Sequence, residues 1–223
     1  MAPLKIAVVV GSLRRDSNNR KLARALEMLA PGDVVFKHVD IGKLPLYSQD
    51  DDDNPAAPVT QLRNDIRACQ GVMFVTAEYN RSIPGVLKNA LDHGSRPYGQ
   101  SVWSGKPAGV LGISVGTIGT ALAQQHLRQV LAYLDMPTLG QPEVFLQMHD
   151  GLFDENGRIG QQSQKFLQGW MDKFLAWVRT HNAHLSDESV AGEEDPGSAD
   201  DDAQLQDQHR DTAIQAAARS AKV

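Results

Sequence analysis

Cysteine is nearly absent: Cys69 is the only one in 223 residues. A single cysteine can close no internal disulfide and can build no cysteine-based metal cage. Cys69 falls in register with Leu62 and Ile66 on a helical segment. It reads as a core residue, the usual place of a free cysteine. Long apolar runs are missing as well. None approaches the roughly 20 residues that a membrane span needs. Met1 to Lys5 lead directly into a strand pattern, without a charged leader and cleavage site. These absences point to the cytosol. The seven histidines contain no His-x-x-x-His pair and no triad pattern. They give no support to a metal centre or to nucleophilic catalysis. The run Asp50 to Asp53 reads as a solvated loop, because no histidine lies near enough to complete a cation site.

Excess charge is also lacking where it would matter. The net charge is −5, but residues 186–223 hold ten acidic and three basic side chains. Residues 1–185 hold the other seventeen acidic and nineteen basic ones, a net of +2. A surplus of two is too weak to argue for nucleic acid. The acidity belongs to the last stretch. Ser186 to Asp202 is rich in acidic and small residues, as disordered segments are. Two regions are expected: a domain over 1–185 and an acidic tail over 186–223, with a short helix possible within Ala203 to Lys222.

The body of the chain alternates two patterns. Short apolar runs cover Leu4 to Val10, Val34 to Val39, Gly71 to Thr76, Ala108 to Val115 and Pro137 to Leu146. Such runs, rich in β-branched residues, read as strands covered on both faces. Between them, apolar residues recur at helical spacing: Leu22, Leu26 and Leu29, then Leu62 and Ile66, then Leu87, Ala90 and Leu91. A fourth helix runs to Leu134, with Leu127, Val130, Leu131 and Leu134 on one face. The last spans about Gln161 to His181, with Phe166, Trp170, Phe174 and Trp177 along one side. Strand and helix alternating in this way predict an α/β fold, a doubly wound parallel sheet of five strands with helices on both faces.

In such sheets ligands bind beyond the carboxyl ends of the strands. Two strand-to-helix loops carry suitable chemistry there. Gly11 to Asn19 joins the first strand to the first helix. A helix N-terminus offers unpaired N–H groups and a positive dipole end. Ser12, Ser17 and Asn19 add hydroxyl and amide donors, and Arg14 adds a guanidinium fork. The loop is neither Gly-x-Gly-x-x-Gly nor Gly-x-x-x-x-Gly-Lys, so it favours a single phosphomonoester over a dinucleotide or a nucleoside triphosphate. The second loop, Glu78-Tyr79-Asn80-Arg81-Ser82, puts a carboxylate, a phenol, an amide, a guanidinium and a hydroxyl in consecutive positions. The plain alternative is a polar surface turn. His93, in the helix after this loop, is the histidine placed nearest to it and reads as structural.

Gly11-Ser12-Leu13-Arg14-x-x-Ser17-x-Asn19 resembles the phosphate loop of the NAD(P)H-dependent FMN reductase family. The stretch from Glu78 through Asn80, Ser82 to Pro84-Gly85 and on to Asp92 resembles that family's flavin-ring loop and following helix. His126 to Leu131 and Pro142 to Phe145 are similar to its later segments. The match spans roughly 4–180, and the nearest branch is the quinone and chromate reductases. The resemblance implies a flavodoxin-like sheet in the order 2-1-3-4-5. It implies FMN phosphate contacts from Ser12, Arg14, Ser17 and Asn19, and ring contacts from Glu78, Tyr79, Asn80, Arg81 and Ser82. Further contacts are expected from Ser114, Gly116 and Thr117. Two positions depart from the family pattern. Ala77 stands where proline is usual, and Arg81 where tyrosine or another uncharged residue is common. The implied activity is hydride transfer from NADH or NADPH through FMN to quinones or related acceptors, chromate included, in a ping-pong cycle. No catalytic side chain and no metal are required. Other readings are a flavin reductase supplying a monooxygenase, a flavodoxin-like electron carrier and an FMN-binding regulatory module. A homodimer or homotetramer is expected, with the helix from Thr120 to Leu134 and the loop around Trp103 as candidate contacts.

Overall fold

The computed structural model of the chain describes residues 3–183. The acidic tail expected over 186–223 lies outside the described residues. Five strands form one parallel sheet: β1 (Leu4–Gly11), β2 (Val34–His38), β3 (Gly71–Thr76), β4 (Ala108–Ser114) and β5 (Phe145–Gln147). Their order is β2-β1-β3-β4-β5, as the family resemblance implied. Four helices connect them, α1 (Asn18–Glu27), α2 (Ala57–Arg67), α3 (Gly85–Gly94) and α4 (Ala121–Tyr133), and α5 (Gln161–His181) follows the last strand.

Successive strand residues point to opposite faces, so each inner strand feeds two cores. Ile6, Val8, Met73, Val75 and Leu111 meet Leu22 and Leu26 of α1 and Trp170 and Phe174 of α5. Ala7, Val9, Val72, Phe74 and Val110 meet α2, α3 and α4 through Leu62, Ile66, Leu87, Leu91 and Leu127. This double cover is why β1 and β3 read as unbroken apolar runs. Cys69 is in the second core, 2% exposed.

Four expectations change. The fifth strand is shorter and later than Pro137 to Leu146. Thr138 makes one isolated bridge to Ala108, and regular pairing resumes only at Phe145. Pro142 has no N–H to give a ladder, and the Val144 carbonyl is taken by Gln124 Nε2 at 2.8 Å. In α5, Phe166 is 47% exposed, while its neighbour Leu167 is fully buried and takes the core position instead. Trp103 itself drops out of the contact expected of the loop around it. It is fully buried, donates from Nε1 to the Leu91 carbonyl at 2.9 Å, and lies so close to Gly94 that a Cβ there would come within 2.3 Å. The run Asp50 to Asp53, expected as loop, begins inside a single 3-10 turn that spans Gln49–Asp51.

Candidate functional site

β1 and β3 end side by side, with Gly11 opposite Thr76. The segments 12–17 and 77–82 therefore leave the same edge of the sheet. The segment after Ser114 leaves it one strand further on. Sheet order alone thus gathers the three predicted loops at one rim.

The first loop is built around a helix start. Ser17 is the N-cap of α1, and its Oγ accepts from the Arg20 N–H at 3.2 Å. Its hydroxyl hydrogen remains free to donate outward. Ser12 is buried and Arg14 is exposed. The Asn19 side chain is tied to the sheet. Its Nδ2 donates to the Ile113 carbonyl at 2.9 Å, and its Oδ1 accepts from the Ile113 N–H at 3.0 Å. The pairing of β3 with β4 ends at Leu111. Two residues on, the Asn19 amide offers both the donor and the acceptor that a neighbouring strand would have offered. This side chain is buried and tied to the strand, and its second Nδ2 hydrogen and its backbone N–H take no part in that pairing. The donor set that remains is two serine hydroxyls, one guanidinium and first-turn N–H groups. Those groups suit the three oxygens of a phosphomonoester.

The second loop is a two-residue turn. Tyr79 and Ser82 exchange backbone hydrogen bonds, both at 3.0 Å. Asn80 and Arg81 between them have φ of 51° and 66°. Positive φ at both central positions defines the tight hairpin turn that usually takes Asn-Gly. Asn80 suits its place, and Arg81 is held in a conformation that favours glycine.

The side chains of this loop reach α4. Glu78 Oε2 accepts from the N–H groups of Leu122 and Ala123, both at 3.1 Å. Its Oε1 accepts from Arg81 Nη1 at 3.2 Å. Glu78 is thus the cap of α4, supplied from a loop far back in the chain. The helix needs it, because its own N-cap residue, Thr120, has φ 74° and makes no side-chain cap bond. The Thr120 Oγ1 accepts from Gln124 Nε2 instead. Ser82 makes a second tie, with its Oγ 3.0 Å from His126 Nδ1. The carboxylate of Glu78 and the hydroxyl of Ser82, both expected at the flavin ring, also hold the loop to α4.

His126 is therefore the histidine in contact with this loop. His93 is structural, as expected: it is buried, with Nε2 2.9 Å from the Pro45 carbonyl. In the third loop, Ser114 Oγ donates to the Gly116 carbonyl at 2.9 Å. Gly116 and Thr117 are exposed, and a Cβ added to Gly116 would meet nothing closer than 3.7 Å. Between and beside these loops lies an apolar rim. Tyr79, Val115, Ile118 and Leu122 are all exposed, Val115 at 75%. Among the described residues no group of His, Cys, Asp and Glu could hold a metal ion, and no helix is long and apolar enough to cross a membrane.

A parallel sheet in this order, with a phosphate-type loop after its first strand and an apolar rim after its third and fourth, defines a flavodoxin-like flavin-binding domain. Comparison with known proteins narrows the class. The family of NADPH-dependent FMN reductases matches residues 4–150. A 2-hydroxy-1,4-benzoquinone reductase from Burkholderia sp. is 56% identical over 177 residues, covering 79% of this chain and 97% of that protein. A quinone reductase from Pseudomonas putida is 49% identical over 179 residues, covering 80% and 96%. Among solved structures, FerB, a flavoenzyme NAD(P)H:(acceptor) oxidoreductase from Paracoccus denitrificans, superposes with a TM-score of 0.77 at 42% identity, covering 80% of this chain and 98% of its own. The chain belongs to the NADPH-dependent FMN reductase family and is an FMN-dependent NAD(P)H oxidoreductase.

Proposed function

We propose that the chain reduces quinones with NADH or NADPH, holding FMN across the three loops. Its phosphate would lie against the hydroxyls of Ser12 and Ser17, the Arg14 guanidinium and the first N–H groups of α1. The ring would lie between the Tyr79 to Ser82 turn and the segment Ser114 to Thr117. When bound there, FMN would supply two-electron redox chemistry between a nicotinamide and a quinone.

The protein's part is to present a flat, partly apolar opening beside a charged phosphate loop. The observation that carries the reading is the exposed group of Tyr79, Val115, Ile118 and Leu122 at the rim where the loops converge. Exposed apolar residues gathered at a ligand-binding edge mark a surface that something flat covers. Nicotinamide and quinone are both flat and would compete for one opening, so they should bind in turn. The name of the Burkholderia relative makes hydroxylated benzoquinones candidates for the acceptor.

We also propose a cytoplasmic homodimer or homotetramer, joined through α3 and α4. Tyr133 on α4 is 87% exposed, beside a groove that Lys88 and Asp92 of α3 line with Gln129 of α4. Initial rates with the FMN-loaded protein test the functional reading. Double-reciprocal lines against NAD(P)H at several fixed quinone concentrations should be parallel. Intersecting lines would replace the alternating scheme with a ternary complex. If NAD(P)H is not oxidised although FMN is fully bound, the quinone reductase reading is wrong.

A further inference from the structure

The charges of the Glu78 to Ser82 turn are arranged asymmetrically. The Glu78 side chain is 9% exposed and the Arg81 side chain 62%. The carboxylate is turned inward, where the start of α4 already offers it the positive end of a helix dipole, about half a unit charge. The guanidinium uses one nitrogen, Nη1, to meet Glu78 at 3.2 Å. Its other N–H groups make no hydrogen bond to the described residues. Summed over the carboxylate, the guanidinium and the helix end, the cluster is positive, and its outward part is Arg81.

The position of Arg81 is tied down from both ends. Its backbone closes the tight turn after Tyr79. Its head is held by a carboxylate that touches the first turn of α4, at the end of the 114–120 segment. The cation is therefore at the same rim as Tyr79, Ile118 and Leu122. A positive φ of 66° at a bulky residue is strained. Glycine or asparagine would hold the turn with less strain, so the turn alone does not account for an arginine.

A cation beside a flat apolar rim suits a flat conjugated anion. Hydroxylated quinones are such ligands, because a hydroxyl on the quinone ring is a vinylogous acid that is ionised at neutral pH. We propose that Arg81 is a specificity-determining residue, which favours acidic hydroxyquinones over neutral quinones by pairing with the ionised hydroxyl. The proposal rests on the quinone reductase reading above.

Equilibrium binding tests it apart from turnover. Oxidised, FMN-loaded protein is titrated, without NAD(P)H, with 2-hydroxy-1,4-naphthoquinone and with its neutral analogue of similar size, 2-methyl-1,4-naphthoquinone. The flavin absorbance reports each Kd. The wild-type protein should prefer the hydroxyquinone, and the preference should shrink with added salt as an exposed charge is screened. Arg81→Asn, which tolerates the turn, should lower the preference about tenfold, the scale of one charge-assisted hydrogen bond. Arg81→Lys should keep most of it. An equal change for both quinones in Arg81→Asn would overturn the proposal, since Arg81 would then act on the loop or the flavin. So would a wild-type protein with no preference. If the wild type binds neither quinone and reduces neither with NAD(P)H, the underlying reading fails as well, and a protein that reduces both without preference separates the two cases.

Discussion

Glu78→Ala should destabilise the protein by about 2 kcal/mol, through a helix that lies 42 or more residues away in the chain. The figure follows from three contributions. Removing an N-cap costs about 0.5–2 kcal/mol. Losing a negative charge at a helix start costs a further 0.3–1 kcal/mol or so. The ion pair with Arg81 adds little, because the guanidinium is 62% exposed and water screens it. Alanine leaves the N–H groups of Leu122 and Ala123 without an acceptor. Leu122 is exposed, so water can reach its N–H, whereas Ala123 is fully buried and bears the larger loss. The sum lies near the middle of these ranges. Glu78→Gln keeps an acceptor oxygen and loses the charge, so about 1 kcal/mol is expected.

For a domain of this size each kcal/mol moves the melting temperature by about 2–4 °C. Thermal melts of the FMN-free protein should therefore drop by about 4–8 °C for alanine and about 2–4 °C for glutamine. Amide exchange should localise the effect, with faster exchange at Leu122 and Ala123 than in α5. An alanine variant that melts within about 1 °C of wild type would show that α4 finds another cap. A glutamine variant as unstable as alanine would show that the charge, and not the acceptor, matters.

The other predictions separate holding the fold from holding the cofactor. Asn19→Ala should cost the FMN-free protein about 2–4 kcal/mol in urea unfolding, because it strands the buried N–H and carbonyl of Ile113 at about 1–3 kcal/mol each; a loss under about 1 kcal/mol would mean that water replaces the amide. Arg14→Ala should leave FMN-free stability within about 0.5 kcal/mol, as an exposed substitution does, yet weaken FMN binding by about 1.5–3 kcal/mol. Equal FMN affinity for variant and wild type in a fluorescence titration would end the phosphate assignment. Cys69 should resist a thiol reagent at pH 8 until the protein unfolds, because it is 2% exposed and burial pushes its thiol up from the ordinary value; prompt labelling of the native protein would place that core ajar.

What the sequence revealed depended on the range of the interactions. Strands β1 and β3 are covered on both faces, so their own composition announces them. Helix α5 carries its period of 3.6 over 21 residues and was legible to its ends. β5 was misplaced, because its boundaries follow from Gln124 on α4 taking the Val144 carbonyl, a contact 20 residues apart. The two loops proposed to hold FMN stood out by their residue types and by their places at strand ends. The roles within them were not. Asn19 is 94 residues from Ile113, and Glu78 is 44 from Leu122. An amide or a carboxylate in a loop looks the same in sequence whether it faces a ligand or a distant backbone. The burial of Trp103 was hidden for a related reason. It stands in a Gly- and Ser-containing loop, and only the missing side chain of Gly94 makes room to bury it.

The same contacts explain how a five-residue turn can be rigid enough for a flavin site. An isolated two-residue turn with a bulky residue at positive φ would gain little from closing. Here the closed form also completes α4 through Glu78 and meets His126 through Ser82. The free energy that favours the helix thus favours the turn, because neither cap nor turn is formed without the other. Positions that a ligand needs are then set before it arrives, and binding need not order them. Polar side chains crowd this loop because most of them serve that end. What is left facing outward is the backbone of the turn, the Tyr79 ring, the Asn80 side chain and the Arg81 guanidinium. These groups can meet a flat conjugated partner without giving up any bond that holds the loop, which is what the proposed alternation of two partners at one opening would require.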